Sequence, residues 1–261
     1  TICLSAVVIA LVLFSPNLIL NTFVFLLSLA LFFEWMKVSK ASRKKKIIFL
    51  LLFSSLICCI LGFGALLEPI PIITMLGITV WIVIAFQIFF REGRLSSSFS
   101  FTNFWIGLIL ISTFCLTCFQ FVNGSRLFLL IAIFNVAIFD SGAYIIGKNF
   151  GKNSFLPELS PNKTIEGLIG GLASSIVFVT LLYILIEEVS LKASIALMLS
   201  IPFALCGDYF FSFLKRKANI KDTGSILPGH GGLLDRVDSH LAAIPMTAFF
   251  SHLLYILGLY F

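Results

Sequence analysis

Long apolar runs separated by short polar punctuation dominate this chain, and their length sets the first expectation. About nine runs of roughly 20 residues are recognisable, the length an apolar helix needs to cross the hydrocarbon core of a bilayer. They fall near 1–15, 17–37, 47–66, 70–90, 101–121, 127–147, 165–186, 193–214 and 239–260. Pro16, the Glu68-Pro69-Ile70-Pro71 turn, the Asn123-Gly124-Ser125 turn and the Glu187-Glu188 pair mark short connections on one side, and longer charged loops lie on the other. The pattern predicts an all-α, polytopic membrane protein. No internal repeat and no low-complexity linker divides it, so residues 1–261 read as a single membrane-embedded domain.

Composition narrows this further. With 59% hydrophobic and 11% charged residues and a mean hydropathy of +1.10, the chain has too little polar surface to cover a water-soluble body of this size. The 30 Phe read as lipid-facing and interhelical packing. Of 18 Lys and Arg, 16 fall in loops on one side of the nine-span arrangement, leaving Arg126 and Lys192 on the other. Because Lys and Arg accumulate in short cytoplasmic loops, that side is expected to be cytoplasmic. The net charge of +6 then reflects topology and anionic lipid headgroups, and nothing suggests nucleic acid.

The sequence begins at Thr1, and a short native N-terminus is expected before it. The first run is not read as a signal peptide, because no small-residue cleavage site follows and Pro16 leads straight into a second apolar run. Cys3, Cys58, Cys59, Cys115, Cys118 and Cys206 all sit in apolar runs, where Cys behaves as a small hydrophobe. Cys115 and Cys118 have CxxC spacing, yet without a His or charged neighbour they read as packing rather than a zinc or redox pair.

Carboxylates at membrane depth are costly and usually face a polar cavity. Asp140 has Tyr144 and Gly147 on the same helical face, and Asp208 has Ser212 and Lys215 at the corresponding positions. Two helices are thus expected to aim polar faces at one level. Between them, Ser160-Pro161-Asn162-Lys163-Thr164-Ile165-Glu166-Gly167 looks like a helix start, which accounts for Thr164 and Glu166 but not for Lys163.

The densest chemistry lies between Ser212 and Asp238, SFLKRKANIKDTGSILPGHGGLLDRVD. Lys215, Arg216, Lys217, Lys221 and Arg236 share it with Asp222, Asp235 and Asp238, beside His230 and the Gly231-Gly232 pair. Glycine lets backbone approach a phosphate, Lys and Arg neutralise its oxygens, and a carboxylate pair can hold Mg²⁺ against them. A loop that only sets topology needs positive charge alone and gives no reason for His-Gly-Gly followed by Asp-Arg-x-Asp.

This run resembles the signature of the phosphatidate cytidylyltransferases, or CDP-diacylglycerol synthases. That signature is Ser-x-apolar-Lys-Arg, four residues, Lys-Asp, then Pro-x-His-Gly-Gly and Asp-Arg-apolar-Asp. Ser212, Lys215, Arg216, Lys221, Asp222, Pro228, His230, Gly231, Gly232, Asp235, Arg236 and Asp238 meet it in order and spacing. Asp140-x-x-Ala143-Tyr144-x-x-Gly147, Ser160-Pro161-x-Lys163-Thr164 and Glu34-Trp35 are similar to further elements of the family, so the resemblance covers essentially the whole chain. Phe211 stands where many members carry an acidic residue.

The resemblance implies an enzyme that joins phosphatidic acid to CTP, giving CDP-diacylglycerol and pyrophosphate for phospholipid biosynthesis. It implies a polar funnel open to the cytoplasm and a bacterial inner-membrane location. Asp208 and Asp235 are the implied ligands of Mg²⁺, with Mn²⁺ as a substitute, and whether a monovalent ion joins them stays open. Asp222 and Asp238 are expected to support the metal or the basic residues. Lys215, Arg216, Lys221 and Arg236 would hold the triphosphate or the lipid phosphate, with His230-Gly231-Gly232 supplying backbone donors. Ser160, Lys163 and Thr164 would close the site, and Asp140, Tyr144 and Ser212 would line it. The assembly stays open between monomer and homodimer. Two other readings remain: a different membrane enzyme acting on nucleotide and lipid, which a γ-phosphate transfer would reveal, and a transporter using Asp140 and Asp208 as an ion path.

Overall fold

The computed structural model describes residues 9–39, 72–90, 104–157, 160–224 and 231–258, together with residues 42, 44, 47, 48, 50, 51, 53 and 54. Seven helices among them are long and apolar enough to cross a membrane. In chain order these are α1 (Asn17–Val38), α2 (Ile72–Phe90), α3 (Phe104–Asn123), α4 (Arg126–Phe150), α5 (Ile165–Leu185), α6 (Leu191–Ala218) and α7 (Leu234–Ile256). They match seven of the expected runs. The other two, at 1–15 and 47–66, lie largely outside the described residues, although 9–14 and the described positions from 44 to 54 are helical. The chain is an all-α integral membrane protein.

The polar punctuation does the capping. Ser125 accepts a hydrogen bond from Phe128 N at 3.3 Å to start α4, and Ser190 accepts from Ala193 N at 3.2 Å to start α6. At the far end of α6, Asn219 takes the left-handed conformation with φ 56°, while Lys215, Arg216 and Lys217 in the last turn complement the helix dipole.

Two boundaries differ from expectation. The last helix begins at Leu234 rather than near 239, so Asp235, Arg236 and Asp238 stand on α7 and not in a loop. Between α4 and α5 lies a short antiparallel hairpin, β1 (Ser154–Leu156) with β2 (Ser160–Thr164), in place of a plain connection. Glu166 holds it down, accepting from the backbone N–H groups of Lys152 and Asn153 at 3.0 and 3.2 Å and from Asn153 Nδ2 at 2.9 Å. Thr164 then caps α5 through Gly167 N at 3.1 Å, as the sequence led one to expect.

The main core gathers α1, α2, α3, α6 and α7 around the fully buried Trp35 and Trp81. Their rings meet Phe211 and Phe210 edge-on at centroid distances of 5.9 and 5.7 Å. On the other flank α4 and α5 pack backbone to backbone. A Cβ on Gly167 or Gly171 would lie 2.8 Å from the carbonyl oxygens of Ala143 and Phe139 respectively, so small residues are what let these helices touch. That contact places Asp140 and Tyr144 of α4 beside the hairpin.

Candidate active site

A cavity of about 700 Å³ opens where α4, α5, α6, α7 and the hairpin converge. Asp140 and Tyr144 line it from α4, Ser160, Lys163 and Thr164 from β2, Asp208 and Tyr209 from α6, and Asp235, Asp238 and Ser239 from α7. Phe139, Phe155, Leu168 and Leu205 supply apolar wall, so the lining is both charged and apolar. The expected meeting of Asp140 and Asp208 at one level is therefore found.

Asp235 organises the rim. Its Oδ1 accepts from Lys215 Nζ at 2.8 Å, and its Oδ2 accepts from Thr223 N at 2.8 Å, Thr223 Oγ1 at 3.0 Å and Gly232 N at 3.1 Å. A carboxylate in the first turn of a helix is also favoured by the dipole. Gly231 has φ +81°, a conformation that suits glycine, and a Cβ there would come within 3.4 Å of Asp222 and 3.5 Å of Asp235. The left-handed Gly231 thus sets the backbone beside two carboxylates. Pro228 and His230 lie outside the described residues.

Lys163 answers from the hairpin. Its ammonium forms an ion pair with Asp208 and stands 4.2 Å from the centroid of the Tyr209 ring. Asp140 and Asp238 both interact electrostatically with Asp208 and with this lysine, and Ser239 hydrogen-bonds Asp140. One ammonium, paired with Asp208, thus shares the field of three carboxylates.

Other signature residues stand farther out. Arg216, Lys221, Asp222 and Arg236 are exposed and do not line the cavity, Ser212 is half-buried on α6, and Lys215 meets Asp235, which does line it. Phe211 is 1% exposed and packs on Trp35, away from the cavity, so an acidic side chain at that position would meet the apolar core in this fold. Three participants had no assigned role in the sequence: Tyr209, Ser239 and Thr223. A fourth, Glu34, was noted only as part of a resemblance. It is fully buried on α1, and its Oε2 accepts from Leu234 N at 2.8 Å and from Thr223 Oγ1 at 3.2 Å. Periodicity could not have linked it to residues about 190 positions away, although a carboxylate inside an apolar run was a signal.

The donors suit a hard divalent cation. Asp140, Asp208, Asp235 and Asp238 outnumber Lys148 and Lys163 in the cavity lining, and carboxylate oxygen is what Mg²⁺ prefers. Among the described residues no three His, Cys, Asp or Glu side chains are grouped closely enough to enclose an ion by themselves.

Several known bacterial proteins are similar to this chain. Phosphatidate cytidylyltransferase of Bacillus subtilis (strain 168) is 43% identical over 113 residues, 42% of each chain. The proteins of that name from Staphylococcus haemolyticus (strain JCSC1435) and Staphylococcus aureus (strain COL) are each 42% identical over 122 residues, 46% of each chain. Each alignment thus spans less than half of the relative. The sequence model of the cytidylyltransferase family extends much further, matching residues 1–254, so that hairpin, carboxylate cavity and glycine turn all lie within it and the chain belongs to the cytidylyltransferase family.

Proposed function

We propose that this chain transfers the CMP moiety of CTP to phosphatidic acid, forming CDP-diacylglycerol and pyrophosphate. The observation that carries the reading is a cavity lined both by Lys163, its partner Asp208 and Asp235 and by apolar side chains, because a phospholipid and a nucleotide triphosphate need both surfaces at once. The names of the similar bacterial proteins support the same chemistry.

In the reaction, an oxygen of the lipid phosphate attacks the α-phosphorus of CTP. A new P–O–P bond forms, the bond from the α-phosphorus to the bridging oxygen of the β-phosphate breaks, and pyrophosphate leaves with that electron pair. The nucleophile is already anionic near neutral pH, so no general base is required and catalysis rests on positioning and charge. Mg²⁺ held by Asp208 and Asp235 would neutralise the triphosphate, with Asp238 in support. Lys163, fixed by the hairpin, supplies the second positive charge in the cavity. Lys221, Arg216 and Arg236 draw in the phosphates from outside the cavity, and Lys215 keeps Asp235 oriented. Tyr144 and Phe155 offer the lipid an apolar approach.

The bias of Lys and Arg supports a site on the cytoplasmic face of a bacterial inner membrane. The test is incubation of purified protein in detergent with phosphatidic acid and CTP labelled at either the α- or the γ-phosphate. α-Label in a lipid product with release of pyrophosphate is the expected result. γ-Label in the lipid would make it a kinase, and no lipid product at all would overturn the reading.

A further inference from the structure

The N-terminus of α7 carries Asp235, yet its own N-cap, Leu233, offers no side-chain cap. The first amides of a helix need partners from elsewhere. Here Glu34 supplies one from another helix, accepting Leu234 N–H at 2.8 Å with an oxygen that also meets the Thr223 hydroxyl at 3.2 Å. Thr223 in turn reaches Asp235 Oδ2 at 3.0 Å through its hydroxyl and at 2.8 Å through its backbone N–H. The Thr223 hydroxyl has one proton, so it serves one carboxylate at a time and ties the position of each to the other.

Sterics lock the same contact. A Cβ on Gly232 would lie 2.7 Å from Glu34 Oε2 and 2.6 Å from Gly224 N, and a Cβ on Gly224 would run into the Glu34 carboxylate as well. The glycines on either side of the turn are thus fitted around a carboxylate that comes from α1. Glu34 is 0% exposed, and its Oε1 has no hydrogen-bond partner among the described residues. Burying an under-satisfied carboxylate costs stability, so a purely structural cap would be better made by a local Ser or Asp.

We infer that Glu34 is a positioning residue for the reaction: it acts through Thr223 and the Leu234 amide to hold Asp235 and the glycine turn in their working geometry. The inference rests on the function proposed above. Glu34 touches neither the cavity nor any reacting group, so its removal should slow turnover while leaving substrate affinity alone.

The experiment uses the purified full chain in detergent, with Glu34→Ala, Glu34→Gln, Thr223→Val and the double Glu34→Ala/Thr223→Val variant. Glu34→Ala should lower kcat about 10–100-fold, the usual range for a residue that orients a ligand, with KM for CTP and for phosphatidic acid nearly unchanged. Glu34→Gln, whose carbonyl still accepts from Leu234 N–H, should recover most of the loss. Thr223→Val should lower kcat too, and the double variant should be no worse than the poorer single one. Should Glu34→Ala fail to fold, Thr223→Val keeps side-chain shape and carries the same test. Wild-type kcat in both single variants, Gln no better than Ala, or losses that multiply in the double variant would each overturn the inference. Amide exchange, read without substrate, should speed up over 231–236 in Glu34→Ala and stay unchanged at the start of α6; unchanged exchange at 231–236 would overturn it as well. Failure of the unsubstituted protein to make lipid product would sink the proposed function instead, and the exchange result would still decide the clamp.

Discussion

Lys215 near the end of α6 and Asp235 at the start of α7 form an ion pair at 2.8 Å across a sequence separation of 20 residues, with side chains only 20% and 11% exposed. This pair ties the last turn of α6 to the first turn of α7, beside the cavity that Asp235 lines. Removing one partner of a mostly buried pair leaves the other charge uncompensated, which costs more than the pair contributes. Lys215→Met should therefore lower both the melting temperature in detergent and turnover, the latter on the order of 10–100-fold because Asp235 loses its orientation. Wild-type turnover with a lowered melting temperature would limit Lys215 to a structural role.

Asp208 and Asp235 approach the cavity from different helices, and the metal reading makes both necessary. Asp208→Asn and Asp235→Asn should each abolish CDP-diacylglycerol formation, with the double variant no worse than either, since residues that act as a unit are non-additive. Activity should require Mg²⁺ or Mn²⁺ and disappear with chelator. Substantial turnover by either variant at ordinary Mg²⁺ would remove that residue from the ligand set, and full activity in excess chelator would remove the metal.

Lys221 is exposed, so its replacement should leave the fold intact. Lys221→Met is expected to reduce kcat/KM for CTP by about tenfold or more, roughly 1.4 kcal/mol of lost transition-state stabilisation. The melting temperature should not move. Unchanged kinetics would return Lys221 to a topology signal.

Thr164 caps α5 and ends the strand that carries Lys163. Thr164→Ala should destabilise the protein by about 1 kcal/mol, the ordinary cost of a lost cap, measured as a shift in thermal unfolding. Because Thr164 also lines the cavity, kcat should fall with it, whereas a cap alone predicts the stability change only.

Gly124 and Asn153 flank opposite ends of α4 (Arg126–Phe150), whose 25 residues give a length of about 37 Å, enough to span the bilayer. In a cysteine-free background, Gly124→Cys and Asn153→Cys should be labelled by impermeant reagent from opposite faces of a sealed vesicle, with Asn153→Cys on the cytoplasmic side. Labelling of both from one face would overturn the span assignment, and labelling of Asn153→Cys from the outer face would overturn the orientation read from Lys and Arg.

The amino-acid sequence by itself determined the membrane class, the approximate limits of seven helices, the capping of α5 by Thr164 and the order of the signature residues. These are local properties: run length, turn chemistry and spacing are written in adjacent positions. The sequence did not reveal that α7 begins at Leu234, because Asp235, Arg236 and Asp238 lower the hydropathy of that turn while its amide is satisfied by Glu34, 200 positions away. Nor did it reveal the hairpin, whose strands are too short and polar to show a period of two. Only the tertiary structure decided that Phe211 faces the core, that Lys163 reaches Asp208, and that Thr223 stands between Glu34 and Asp235, because each depends on how distant helices pack and no local pattern encodes that distance.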